Sequence, residues 1–85
     1  MTNNLNSVIL EGKVISLENQ NHFVICSKHY YLRTTEIVKV HCYLPDTRFK
    51  LPALNEIARV VGRLIEINNR VAICVEHIEL KPREI

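Results

Sequence analysis

Residues 58–82, ARVVGRLIEINNRVAICVEHIELKP, constrain the fold more than any other stretch of this chain. Ala58, Val60, Gly62 and Leu64 alternate with Arg59, Val61, Arg63 and Ile65. Such a period of two belongs to a strand, whose successive side chains face opposite ways. Asn68 and Asn69 then separate two β-rich runs, and asparagine tolerates the positive φ that a tight hairpin turn demands. Val71, Ile73 and Val75 resume the alternation, but Ile78 and Leu80 fall on the other parity. The pattern therefore predicts a phase slip near Glu76 and His77, either a bulge or a strand buried on both faces. Gly62 within a strand marks a bend or a close backbone approach.

The rest of the chain reads the same way. Met1–Asn6 is a polar lead-in expected to be mobile. A first strand is predicted over Ser7–Leu17, with Val8, Leu10, Gly12 and Val14 on one face and Ile9, Glu11 and Lys13 on the other. The run Glu18–Asn21 makes a turn. A second strand covers Phe23–Arg33, with Phe23, Ile25, Ser27, His29 and Tyr31 on one parity. After a short polar break at Arg33–Glu36 comes a third, Ile37–Leu44. Pro45 and Pro52 bracket an irregular segment in which Asp46 is expected to cap a short helical turn, and Ala53–Ile57 offers a second, brief turn. Five strands, tight turns and one irregular insert predict an all-β fold, a small closed five-stranded barrel rather than a sandwich.

At 85 residues the chain makes a single small domain, 1–85, burying only about 60% of its unfolded surface. Stability then leans on self-association. Three cysteines, an odd number, suit reduced thiols in a cytoplasmic setting better than a disulfide framework. The polar opening MTNNLNS has no apolar core of a secretory signal. No apolar run nears the ~20 residues of a membrane span. A formal net charge of +2 is too small to speak for nucleic acid, so charge placement has to.

The third strand carries that placement. Val38, Val40, Cys42 and Leu44 are apolar and belong to a core, whereas Ile37, Lys39, His41 and Tyr43 mix charge with aromatic surface. With Tyr30 or Tyr31 of the second strand they form an aromatic and basic surface of the kind on which single-stranded nucleic acid binds. The plainer alternative makes the tyrosines packing residues and the lysines a solvated face. Cys26/His29 and Cys74/His77 share the spacing C-x2-H, with His41-Cys42 adding further ligand types. On a regular strand, however, residues three apart point to opposite faces, so no metal site or other cofactor is expected. Strand-embedded cysteines with no converging base or glycine-rich loop argue against an enzyme.

RVVGRL followed by a hairpin and V-x-V-E-H-I-E-L-K-P resembles the end of the oligonucleotide-binding (OB) domain of bacterial single-stranded DNA-binding proteins (SSB). The run SVILEGKV resembles that domain's opening strand. The resemblance implies a minimal, loop-trimmed OB barrel that binds single-stranded DNA in replication, repair or recombination. It places stacking aromatics at Tyr31 and Tyr43 and a basic contact at Lys39, with His41, Lys28, Arg33 and Arg48 completing the candidate set. Ile37 stands where many members carry another aromatic, and the last hairpin is cut to Asn68-Asn69. The family's acidic, partner-binding tail has no counterpart in this sequence. The first strand resembles one used for pairing between subunits, implying a homodimer or homotetramer through an exposed strand edge, with Ser7, Ile9, Glu11 and Lys13 at the interface. The alternative is an assembly module that keeps the barrel for contact with replication or recombination proteins and scarcely binds DNA; the primosomal replication protein B family, which resembles a tailless SSB working through partners, is an intermediate model.

Overall fold

The computed structural model describes residues 6–46 and 48–81. They form β1 (Val8–Asn19), β2 (His22–Tyr31), β3 (Thr34–Tyr43), β4 (Ile57–Ile67) and β5 (Arg70–Lys81). These close into a barrel in the order β1-β2-β3-β5-β4. All neighbours are antiparallel except β3 and β5, which run parallel over His41–Tyr43 and Ala72–Cys74. Alternation decides the inside: Val14, Phe23, Ile25, Cys42, Val60, Ile73 and Val75 are buried to 1% exposure or less.

The predicted phase slip is a bulge. Val61 pairs with His77 and Gly62 with Val75, leaving Glu76 as the extra residue. It returns Ile78 and Leu80, opposite Val60 and Ala58, to the interior row of Ile73 and Val75. The bulge also overturns one argument drawn from spacing. Cys74 and His77 pair with Arg63 and Val61, which share a parity, so these two residues fall on one face after all. Among the described residues no group of three or more potential metal ligands gathers around them.

β1 does two jobs. Val8–Lys13 pairs with β4 and Lys13–Asn19 with β2, with irregularities at Ile15 and Glu18 that alternation does not reveal. The expectation of an exposed β1 edge is thereby halved: among the described residues Val8–Gly12 pair on the β4 side alone. Two glycines allow the strands to cross closely. A Cβ on Gly12 would run into the Cys26 carbonyl and the Ile25 side chain, and one on Gly62 into the Cys74 carbonyl. The sequence reading attached a steric reason to Gly62 alone.

The β1–β2, β2–β3 and β4–β5 hairpin turns are each two residues long, the first being Gln20-Asn21. Asn68 and Asn69 take positive φ (53° and 63°) as predicted. So do Leu32 and Arg33 (49° and 67°), residues poorly suited to it, and the polar break predicted at Arg33–Glu36 shrinks to this turn. The helical turn expected after Asp46 is absent among the described residues, whereas the brief turn expected over Ala53–Ile57 is present, closed by the Glu56 N–H on Ala53 O at 3.2 Å. The Asp46 Oδ1 instead accepts the Arg48 backbone N–H at 2.8 Å in a local turn. The Glu56 carboxylate accepts from the Ala53 N–H at 2.6 Å, and this segment docks on β1 through Val14 N–H to Glu56 O (2.9 Å) and Asn55 N–H to Val14 O (2.8 Å). Asn6, placed in the mobile lead-in, is held. Its side-chain amide donates to Leu64 O at 3.0 Å and accepts from Leu64 N–H at 2.9 Å, continuing the β1–β4 ladder with a side chain.

Candidate nucleic-acid interface

Direct cross-strand partners share a face of the sheet. On the outer face of β2 and β3 the rows are His22 with Tyr43, Val24 with His41, Cys26 with Lys39 and Lys28 with Ile37. The parallel pairing carries them onto β5, where His41 meets Ala72 and Tyr43 meets Cys74. Arg70 stands two residues before Ala72 and so shares its side. Lys39, His41, Tyr43 and Lys28 of the expected set therefore do share one outer face. Lys28 and Lys39 are exposed, His41 and Tyr43 half-buried.

Tyr31, the other stacking aromatic expected, pairs with Thr34 and position 30 with Thr35, at the far end of the β2–β3 ladder from Tyr43. The side chains of residues 29–31 lie outside the described residues. Arg33 sits exposed in the β2–β3 turn. Arg48 lies in the β3–β4 segment, its guanidinium forked onto Asp46 (Nη2 to Oδ2 2.8 Å), so both are partly neutralised. Of the interface set, Ser7, Ile9, Glu11 and Lys13 are all exposed. Glu11 is held within the chain by Arg59 (3.2 Å) and Lys81 (2.8 Å). The Lys81 and Arg59 hydrogen bonds and charges pull its carboxyl below the usual range, overcoming the opposing desolvation.

Two residues that the sequence reading did not single out organise the centre of the face. His22, only 9% exposed, stacks on Tyr43 with ring centroids 4.1 Å apart and planes 19° from parallel. Its Nε2 lies 2.8 Å from His41 Nδ1, and His41 Nε2 lies 2.9 Å from Arg70 Nη1. A guanidinium only donates, so His41 Nε2 accepts and the ring carries its proton on Nδ1. That proton goes to His22 Nε2, and both tautomers are set. Burial pulls the His41 pKa below its ordinary value, with the Arg70 and His22 charges adding to the effect and Glu18 opposing it. At the end of this face, beyond His22 and Tyr43, a cleft of about 650 Å³ opens between Asn19–Asn21 and Leu44–Asp46, with Phe49 on its wall.

The strand order, with its single parallel β3–β5 contact, defines a five-stranded OB barrel. No family model matches the chain, and no curated protein matches it. Among solved structures, the dimeric N-terminal domain of the PriB protein from Thermoanaerobacter tencongensis aligns with it at a TM-score of 0.57. The alignment covers 92% of this chain and 98% of that one at 18% sequence identity, a likeness of fold.

Proposed function

We propose that the chain binds single-stranded DNA with little sequence preference along the outer face of β2, β3 and β5. The observation that carries this reading is that Tyr43, Lys39, Lys28 and Arg70 share one outer face with the His22–His41 pair. His22 covers one face of the Tyr43 ring and fixes its plane, which prepares the other face for a base. A stacked base contributes roughly 1–3 kcal/mol whatever its identity, while lysine and arginine meet the phosphates. The cleft lined by Asn21 and Phe49 gives the strand a path off the face. Arg33 extends the same charge at the hairpin tip, and replication, repair or recombination is the setting in which such binding serves.

Titration of fluorescent oligo(dT) at two salt concentrations tests this. Lys39→Ala lowers affinity for all sequences and reduces the salt slope by about 0.7, the single-strand value per phosphate. Tyr43→Ala weakens binding by roughly 1–3 kcal/mol and Tyr43→Phe by little, because the ring does the stacking. A folded Tyr43→Ala variant that binds as tightly as wild type sinks the stacking assignment.

The second reading, an assembly module, draws on Ile9 and Ile37, which are 71% and 56% exposed. A dimer through β1 belongs to both readings. Val8–Gly12 leave one edge of the strand open to pairing among the described residues, and the similar PriB domain is dimeric.

A further inference from the structure

Three arginines on this barrel meet carboxylates: Arg48 pairs with Asp46, Arg59 with Glu11 and Arg63 with Glu76. Arg70 does otherwise. Among the described residues no carboxylate lies within ion-pair distance of it, and its Nη1 donates instead to the His41 ring. A neutral imidazole satisfies one N–H but leaves the guanidinium's charge uncompensated. Three nitrogen groups in a row, Arg70, His41 and His22, thus stand on the face proposed for the strand with a cation at one end.

We propose that the Arg70–His41–His22 chain is a phosphate site that takes up a proton as it fills. A phosphate oxygen displaces His41 Nε2 from Arg70 Nη1 and accepts the freed N–H. His41 then gains a proton from solvent at Nε2 and becomes a second cationic donor, keeping its Nδ1–H on His22. No covalent bond changes, and the only species consumed is one proton. The free protein resists this protonation because Arg70 points a donor at Nε2, and the bound anion removes that conflict. Around His41 the other charged or titratable groups are Glu18 on β1, Lys39 and Tyr43 on β3, and Cys74 on β5. On β4, Arg63 opposite Cys74 is held by Glu76. Of the neighbouring charges Glu18 favours the imidazolium, and Arg70 and His22 oppose it until a phosphate arrives.

The ligand assignment rests on the single-strand reading above, so the test separates the two. Oligo(dT) affinity of the wild type, at fixed salt, is followed across the imidazole range, about pH 5 to 8. Uptake of one proton gives an affinity gain of up to about tenfold per unit of pH fall. His41→Gln flattens that dependence to less than about twofold per unit. In parallel, long-range ¹H–¹⁵N spectra of the wild type titrated with inorganic phosphate report the protonation of His41 Nε2 without any variant. A flat wild-type profile with measurable binding overturns the proposal, and so does a full slope retained in His41→Gln. Lost slope in the variant with a silent phosphate titration supports it and assigns the strand's phosphodiester as the source. If phosphate protonates His41 while oligo(dT) fails to bind at every pH, the single-strand reading falls and the anion site stands, with free phosphate as its ligand. No oligo(dT) binding together with an unchanged imidazole overturns both.

Discussion

His41 and Cys42 are neighbours in sequence and opposites in chemistry, because β3 sends one outward and the other into the core. The Cys42 thiol is fully buried, and desolvation pushes its pKa up to about 12. Cys26 and Cys74 are half-buried. Maleimide labelling of the native protein near neutral pH should therefore modify Cys26 and Cys74 and spare Cys42 until the chain is unfolded. Mass spectrometry of the digested protein checks this, and early Cys42 labelling would contradict the barrel interior. His41 makes a stability prediction. Its pKa in the fold lies below the ordinary 6.5, so below that value the unfolded chain binds more protons than the folded one. Stability is fully present above pH 6.5 and falls as pH drops through the folded value. Urea melts at a series of pH values should show this loss, and His41→Gln should lessen it. At this scale the sequence made Lys39, His41 and Tyr43 legible, because β3 alternates over many residues. His22 and Arg70 each open a strand beside a turn, where almost no alternation exists to assign a face.

Among the elements, the β2–β3 turn is the weakest piece of local design. Leu32 and Arg33 both take left-handed φ, which costs roughly 1–2 kcal/mol for each side chain bearing a Cβ. Replacing the pair by Asn-Gly should stabilise the barrel by about 1 kcal/mol or more. An unchanged urea midpoint would mean that the turn is strained less than its dihedrals indicate. The same change removes Arg33, so DNA affinity should fall as stability rises if that residue meets a phosphate. Gly12 and Gly62 lie at the other extreme. An added methyl at either meets backbone carbonyl, which cannot rotate away, so Gly12→Ala and Gly62→Ala should each cost about 1–3 kcal/mol. The bulge at Glu76 was legible because it breaks an otherwise clear apolar rhythm. Those at Ile15 and Glu18 were not, because apolar side chains occupy both parities of β1 and hide the change of phase.

For the molecule as a whole, five strands, tight turns and one irregular insert pointed to a barrel, but nothing in local pattern says which strands close it. That closure is the β1–β4 ladder from Val8 with Gly62 to Lys13 with Ile57. It also decides what remains for a second copy: one edge of Val8–Gly12 and the outward row beginning at Ile9, 71% exposed. The chain should self-associate as a dimer at about tens of micromolar, an affinity worth roughly 6–7 kcal/mol. Ile9→Lys should shift it to monomer in sedimentation equilibrium. A wild type that stays monomeric would leave each particle with one copy of the proposed face and no avidity.

The side-chain clamp of Asn6 on Leu64 bears on how the chain reaches this state. The β2–β3 and β4–β5 hairpins join near neighbours through two-residue turns and can form early. Asn6 and Leu64 are 58 positions apart, and contacts at such separation come with a large loss of chain freedom before they reward it. Barrel closure is then expected to be the late event, with the clamp forming after the rate-limiting crest. Asn6→Ala should accordingly leave the refolding rate near that of wild type and quicken unfolding, the behaviour of a latch rather than a nucleus.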